Sequence, residues 1–275
     1  MHLNYNNLQQ AGIGQTERQI IDMIMHQGKL TIQSADLEKE GIYTRQSANL
    51  MLSRLYRKGW LQRLKAGVYK VVPLGSDTAN PIPEDPWAIA MELFSNSYIS
   101  GWTAAEHWDL TEQIFNSTVV FTEQKQRHKD QIIAGLNYRI KSVNKNRIFG
   151  VKKIWANNIP ILIADLHRTI IDILDEPELG GGGRHTLDIV KAYWHKQEAD
   201  PELLLQYAEK LEHGAVFKRF GFIAEVLFHM PDLFLEKIKT KIKTGIINLD
   251  PQGPDSGPIL TKWGLRLNIP LGDLE

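Results

Sequence analysis

Apolar side chains recur three and four residues apart twice in the first quarter of the chain: Ile20, Ile21, Ile24 and Met25, then Ala48, Met51, Leu52 and Leu55. That spacing puts each set on one face of a helix. The first predicted helix opens at Thr16 and stops at Gly28; the other runs from Thr44, its N-cap, to Lys58 and stops at Gly59. Between them Leu30-Thr31-Ile32 reads as extended, and a short helix begins at Ser34-Ala35-Asp36-Leu37 and closes at Gly41. Residues 60–64 and 68–72 then read as two strands joined by Lys65-Ala66-Gly67, a hairpin with Lys65 at its tip. Three helices followed by a hairpin is the order of a winged helix-turn-helix, whose third helix lies where such modules read DNA.

Residues 73–86 contain four prolines, a linker composition that sets the boundary between a DNA-binding domain at 1–72 and a C-terminal domain at 87–275. The second domain opens with a predicted helix at 87–94, and Tyr98-Ile99-Ser100 leads into another at 103–110. Runs at 116–122, 137–143 and 148–155 are alternating or β-branched and predict a small antiparallel sheet, with a further extended piece at 159–162. From Asp165 the pattern turns helical, over 165–174, 186–195, 201–213, 217–230 and 233–243. The last segment is rich in proline and glycine, and Ile259-Leu260 and 263–269 predict strands or an extended arm folded back on the sheet. The expected fold class is α/β (α+β): a winged helix-turn-helix, then a mixed domain with a sheet and a helical half.

Charge changes the picture most over residues 41–76, where Arg45, Arg54, Arg57, Lys58, Arg63, Lys65 and Lys70 stand with no Asp or Glu, although the 275-residue chain has zero formal net charge. Affinity for nucleic acid would therefore come from a local patch. On the polar face of the third helix, Arg45, Gln46, Asn49 and Ser53 are of the types that hydrogen-bond base edges, while Thr44, Arg54, Arg57, Lys58, Arg63 and Lys65 suit phosphates. A second basic run, 125–153, includes Lys145, Arg147, Lys152 and Lys153 and only Asp130 as an acid. It suggests an extension of the DNA footprint, a separate functional surface, or simply a solvated face of the sheet. Composition, at 43% hydrophobic and 23% charged, is that of a soluble globular protein, with no membrane-length apolar run and no signal-peptide pattern. The absence of cysteine excludes disulfides and thiolate metal sites, and a cytoplasmic location is expected.

Other chemistry is sparse. Glu123-Gln124-Lys125 follows a predicted strand as the acid-x-Lys pair of restriction-endonuclease-like, metal-dependent nucleases does, but its upstream acids, Glu106 and Asp109, fall on a predicted helix. Residues 180–183 are four glycines whose N–H groups could cradle a phosphate, without the lysine and hydroxyl of a P-loop. The nine histidines show no ligand spacing, so neither a metal nor a cofactor is expected. Asp165, His167, Arg168, Asp172, Asp175 and Glu176 suggest either an internal ion-pair cluster or a partner surface.

Residues 164–182, ADLHRTIIDILDEPELGGG, with DPELLLQYAEKLEHGAVFKRFGFIAEVL at 200–227 and YISGWTAA at 98–105, resemble the C-terminal domain of AbiEi-type antitoxins, described also as transcriptional regulators of viral defence systems. The matching positions are Asp165, Arg168, Thr169, Asp172, Pro177, Gly180 and Gly181, then Lys218, Arg219, Phe220 and Gly221. The resemblance implies a type IV toxin–antitoxin system of abortive infection. The N-terminal domain would bind double-stranded promoter repeats of its own operon as a repressor. The C-terminal domain would counter a nucleotidyltransferase-like toxin without a stable complex, and no enzymatic activity is expected. A monomer or weak dimer, able to bind DNA cooperatively and with no membrane partner, completes this expectation. The alternatives are the nuclease centred on Glu123 and Lys125, and a ligand-responsive transcriptional repressor.

Overall fold

The computed structural model describes residues 12–26, 30–73, 76, 81–83, 85–156 and 159–271. Gly28 and much of the 73–86 stretch lie outside the described residues. The architecture is mixed α/β, with ten α-helices and several small sheets among the described residues. The chain divides into two compact units, one running to Phe94 and including Asp130–Tyr138, the other comprising Ser95–Lys129 and the chain from Arg139 onward.

In the first unit α1 (Gln15–His26), β1 (Ile32–Gln33), α2 (Ser34–Lys39), α3 (Arg45–Arg57), β2 (Leu61–Lys65) and β3 (Val68–Val71) follow in order. The strands form an antiparallel sheet in the order β1-β3-β2. Ile20, Ile21 and Ile24 of α1 pack with Ala48, Leu52 and Leu55 of α3 and with Leu61 and Tyr69 of the hairpin. Met25, expected in that stripe, is 68% exposed, and Met23 packs against the core instead. Thr44 caps α3, its hydroxyl accepting from the Ser47 amide at 3.3 Å. Gly59 takes a φ of 78°, which ends the helix without a Cβ clash. The hairpin turn is Ala66-Gly67 alone, and Lys65 is the last residue of β2, opposite Val68 across a register shift. The short loop places the expected tip residue inside the ladder. Helix α4 (Pro86–Leu93) is capped by Asp85, which accepts from the Trp87 and Ala88 amides at 3.0 and 2.9 Å.

The second unit contains β4 (Ser97–Ile99), α5 (Gly101–His107) and β5 (Thr118–Thr122). β6 (Asp130–Ile133) belongs to the first unit, as does the start of β7 (Leu136–Ser142), and β8 (Val151–Ala156) and β9 (Ile159–Ala164) follow. Within the second unit the sheet runs β7-β5-β4-β9-β8. It is mixed rather than antiparallel, because β4 lies parallel to β9, with Ile99 opposite Ile163. Tyr98-Ile99, which the resemblance gives as part of a strand-to-helix entry, is a strand in the sheet interior. Three residues are too few to show alternation, and all three are buried.

Helices α6 (Leu166–Asp175), α7 (Gly183–Trp194), α8 (Pro201–Leu211), α9 (Gly214–Val226) and α10 (Asp232–Lys239) form one apolar core. The C-terminal arm supplies β10 (Ile247–Asn248), β11 (Ile259–Leu260) and β12 (Leu265–Arg266), a sheet of its own in the order β10-β12-β11 rather than an addition to the larger one. It closes on α9, where Gly221 leaves room for Trp263; a Cβ there would stand 2.2 Å from the indole.

Candidate nucleic-acid interface

The apolar stripe of α3 buries Ala48, Leu52 and Leu55 completely, and that burial fixes which residues the helix turns outward. Arg45, Gln46, Asn49, Arg54 and Arg57 are exposed and Ser53 is half-buried. Helical periodicity therefore gathers four of the expected base-contacting side chains on one outward strip. Leu50, absent from the expected set, belongs to the same strip and is 63% exposed. Its signal was legible: position 50 falls out of phase with the buried stripe.

The expected phosphate contacts separate into two groups. Arg54, Arg57 and Arg63 are exposed. Three others have work within the fold. Thr44 is the α3 cap. Lys58 donates to the Glu17 carboxylate at 2.7 Å and to the Gly12 carbonyl at 3.2 Å. The Gly14 amide, at 2.9 Å, and Lys58 hold the Glu17 carboxyl below its ordinary pKa. Lys65 turns from solvent to the Leu93 carbonyl, its ammonium 5.6 Å from the Phe94 ring centre, and burial lowers its pKa.

The second basic run is also divided. Lys145, Lys152 and Lys153 are exposed. Arg147 pairs with Asp175 at 2.7 Å, and Lys152 lies 5.2 Å from the Trp108 ring centre. Lys141 pairs with Glu176, and Arg139 reaches Glu178 at 3.5 Å.

Most motif residues of the second unit are buried, while Asp165 is half-buried and Gly181 exposed. Arg168 and Asp172, each 1% exposed, pair at 2.7 Å one helical turn apart on α6. Ser100 and Tyr98 donate to the other Asp172 oxygen at 2.7 and 3.1 Å, and the guanidinium lies 4.1 Å from the Phe149 ring centre. Burial holds the Asp172 carboxyl above its ordinary pKa, against the opposing pull of Arg168 and Ser100. Asp165 caps α6, accepting from the Arg168 amide at 2.7 Å and from Tyr207 at 2.8 Å, and the Thr169 hydroxyl donates to the Asp165 carbonyl at 2.8 Å. Arg219 donates to the carbonyls of Leu174, Asn248 and Leu249 at 2.8–3.1 Å, joining the end of α6 to the C-terminal arm. Lys218, also buried, donates to the Gly245 carbonyl. Of the two sequence readings, the internal cluster describes Arg168 and Asp172, and a partner surface does not, because neither reaches solvent.

The glycine run does not form an open cradle. Gly180 packs against Thr186 and Ile173, and the α7 N-terminal amide of Gly183 donates at 2.9 Å to Asp250, a carboxylate of the same chain. Glu123 accepts from the Asn96 side chain at 2.7 Å. Among the described residues no three His, Asp or Glu side chains converge as metal ligands. No helix among them is long and apolar enough to cross a membrane.

No protein-family model matches the sequence, and no curated protein matches it. Among solved structures, the crystal structure of the Rv2827c protein from Mycobacterium tuberculosis is similar, with a TM-score of 0.59 at 13% identity over 95% of this chain and 94% of that one. At that identity the likeness establishes a shared fold and nothing about activity.

Proposed function

We propose that the first unit is a winged helix-turn-helix that binds double-stranded DNA by inserting α3 into the major groove. Arg45, Gln46, Asn49, Leu50 and Ser53 read base edges, and Arg54, Arg57 and Arg63 hold phosphates. The observation that carries this reading is the outward strip of α3, where arginine and amide side chains stand exposed while the opposite stripe is buried in the unit's core. Its surroundings support it, since residues 41–76 contain no acid to compete with phosphate.

Taken with the AbiEi resemblance, the protein acts as a repressor of its own operon and as an antitoxin. Its second unit counters a nucleotidyltransferase-like toxin without catalysis of its own. The direct test is binding of the full chain to its promoter duplex over a salt series, beside growth rescue on co-expression with the toxin of the same operon. Specific promoter binding lost in Arg45→Ala, with rescue retained, is the expected result. Indifference of binding to Arg45 and Asn49 together would sink the DNA reading, and failure of rescue would sink the antitoxin reading.

A further inference from the structure

All seven tryptophans lie among the described residues, and six are built into the fold. Trp102 stacks on Phe115, Trp194 stacks on Phe228, and Trp108 and Trp263 donate their indole N–H groups to Ala164 and Glu225. Trp60 and Trp87 are half-buried. Trp155 differs: it is 67% exposed on β8, the edge strand of the sheet, and its ring packs on no other ring among the described residues.

Register defines what surrounds it. Trp155 stands opposite Pro160 and Lys153 opposite Leu162, so alternation puts Lys153, Trp155, Pro160 and Leu162 on one face of the β8–β9 pair. Lys152 and Ile154 share the other face with Ile161 and Ile163, which are wholly buried. The outer face is thus an aromatic ring backed by a proline, with an ammonium about 7 Å along the strand. No acid occurs from 145 to 153.

We propose that the outer face of the β8–β9 hairpin binds single-stranded nucleic acid, with a base stacked on Trp155 and a phosphate held by Lys153. Stacking needs an open π-face and a neighbouring cation, and tolerates any base. Two other occupants fit less well. A second copy pairing along the β8 edge would bring its own Lys152 and Lys153 against these lysines, an arrangement that guards edges against self-association. An acidic peptide adding a strand to that edge would satisfy main-chain groups and leave Trp155, on the sheet face, uncovered. The inference does not depend on the reading of α3.

The test is fluorescence anisotropy of end-labelled oligo(U) and oligo(dT), about 12 nucleotides long, with the full chain over a salt series. Trp155→Ala is expected to weaken binding about 5- to 100-fold, and Trp155→Phe to recover most of it. Lys153→Glu is expected to weaken binding and flatten the salt dependence. Binding of the promoter duplex and the melting temperature stay unchanged in all three variants. Equal affinity for the two strands, or a preference for RNA through its 2′-hydroxyls, is consistent with the proposal. Absence of binding to both strands overturns it, as does binding that is indifferent to Trp155→Ala and Lys153→Glu. If oligonucleotides bind through Trp155 while the promoter duplex does not bind, the α3 reading fails and this one stands.

Discussion

The ammonium of Lys65 donates to the backbone carbonyl of Leu93, the last residue of α4. The final carbonyls of a helix have no partner within it and form the negative end of its dipole, so a cation from β2 is well placed there. The hairpin lysine that the sequence offers as a phosphate contact thus secures a helix within its own unit. Lys65→Ala should lower stability by about 1 kcal/mol and leave the slope of promoter affinity against salt unchanged. A slope lowered by about one would instead put Lys65 on a phosphate.

On α3 the outward residues are separable from the buried ones. Arg45→Ala should cost about 1–3 kcal/mol at the cognate duplex and far less on unrelated DNA. Leu50→Ala should alter stability by no more than about 0.5 kcal/mol, because its side chain is largely in solvent. Its effect should fall on discrimination at a thymine, whose methyl group it is suited to touch. Competition binding against single-base operator variants reads both.

Arg168 and Asp172 should behave as a unit. Removing either partner leaves a buried charge uncompensated, at a cost of about 3–5 kcal/mol. The double variant Arg168→Met with Asp172→Leu should cost less than the sum of the two single losses, by about 0.5–3 kcal/mol. Urea unfolding of the three variants measures the coupling, and strict additivity would mean that the pair is not coupled.

Acid should unfold the second unit partly through Asp175. Burial alone would raise this carboxyl, but hydrogen bonding to His213 and the charge of Arg147 outweigh it and hold the pKa below the ordinary value. A carboxyl held lower in the folded state than in the unfolded one stabilises the fold fully above the ordinary carboxylate range. That contribution is lost as pH falls through the folded value. Asp175→Asn should therefore destabilise the protein at neutral pH and flatten the acid limb of its stability profile. An unchanged limb would remove Asp175 from the account.

Gly221→Ala places a methyl group against the Trp263 ring, and overpacking of this kind costs about 1–3 kcal/mol. Because Trp263 is wholly buried between β11 and β12 of the C-terminal arm, loss of its near-ultraviolet dichroism should accompany the loss of stability. A variant as stable as the wild type, with that signal intact, would show that the arm can shift without cost.

How much of this was readable along the chain follows the range of the interactions. Periodicity located α1, α3 and the five helices after Asp165, because a one-sided helix repeats its apolar residues within a few positions. The N-cap at Thr44 was readable for the same local reason. The outward face of α3 follows from the sequence, since a buried stripe implies its opposite. Charge runs, by contrast, named candidates without their partners. Lys58 meets Glu17 from 41 residues away, and Arg147 meets Asp175 from 28. Whether a lysine faces solvent or a carboxylate depends on which distant segments pack beside it, and no local pattern encodes that. The same applies to β4, whose three residues become sheet interior only because β5 and β9 flank them. It applies to the motif arginines as well, which read as charge in the sequence and proved to be interior struts once Tyr98, Ser100 and the C-terminal arm closed around them. Local periodicity thus determined the helices and the outward strip of α3. Long-range packing determined which charges remain in solvent, and left Trp155 exposed beside Lys153 on an open sheet edge.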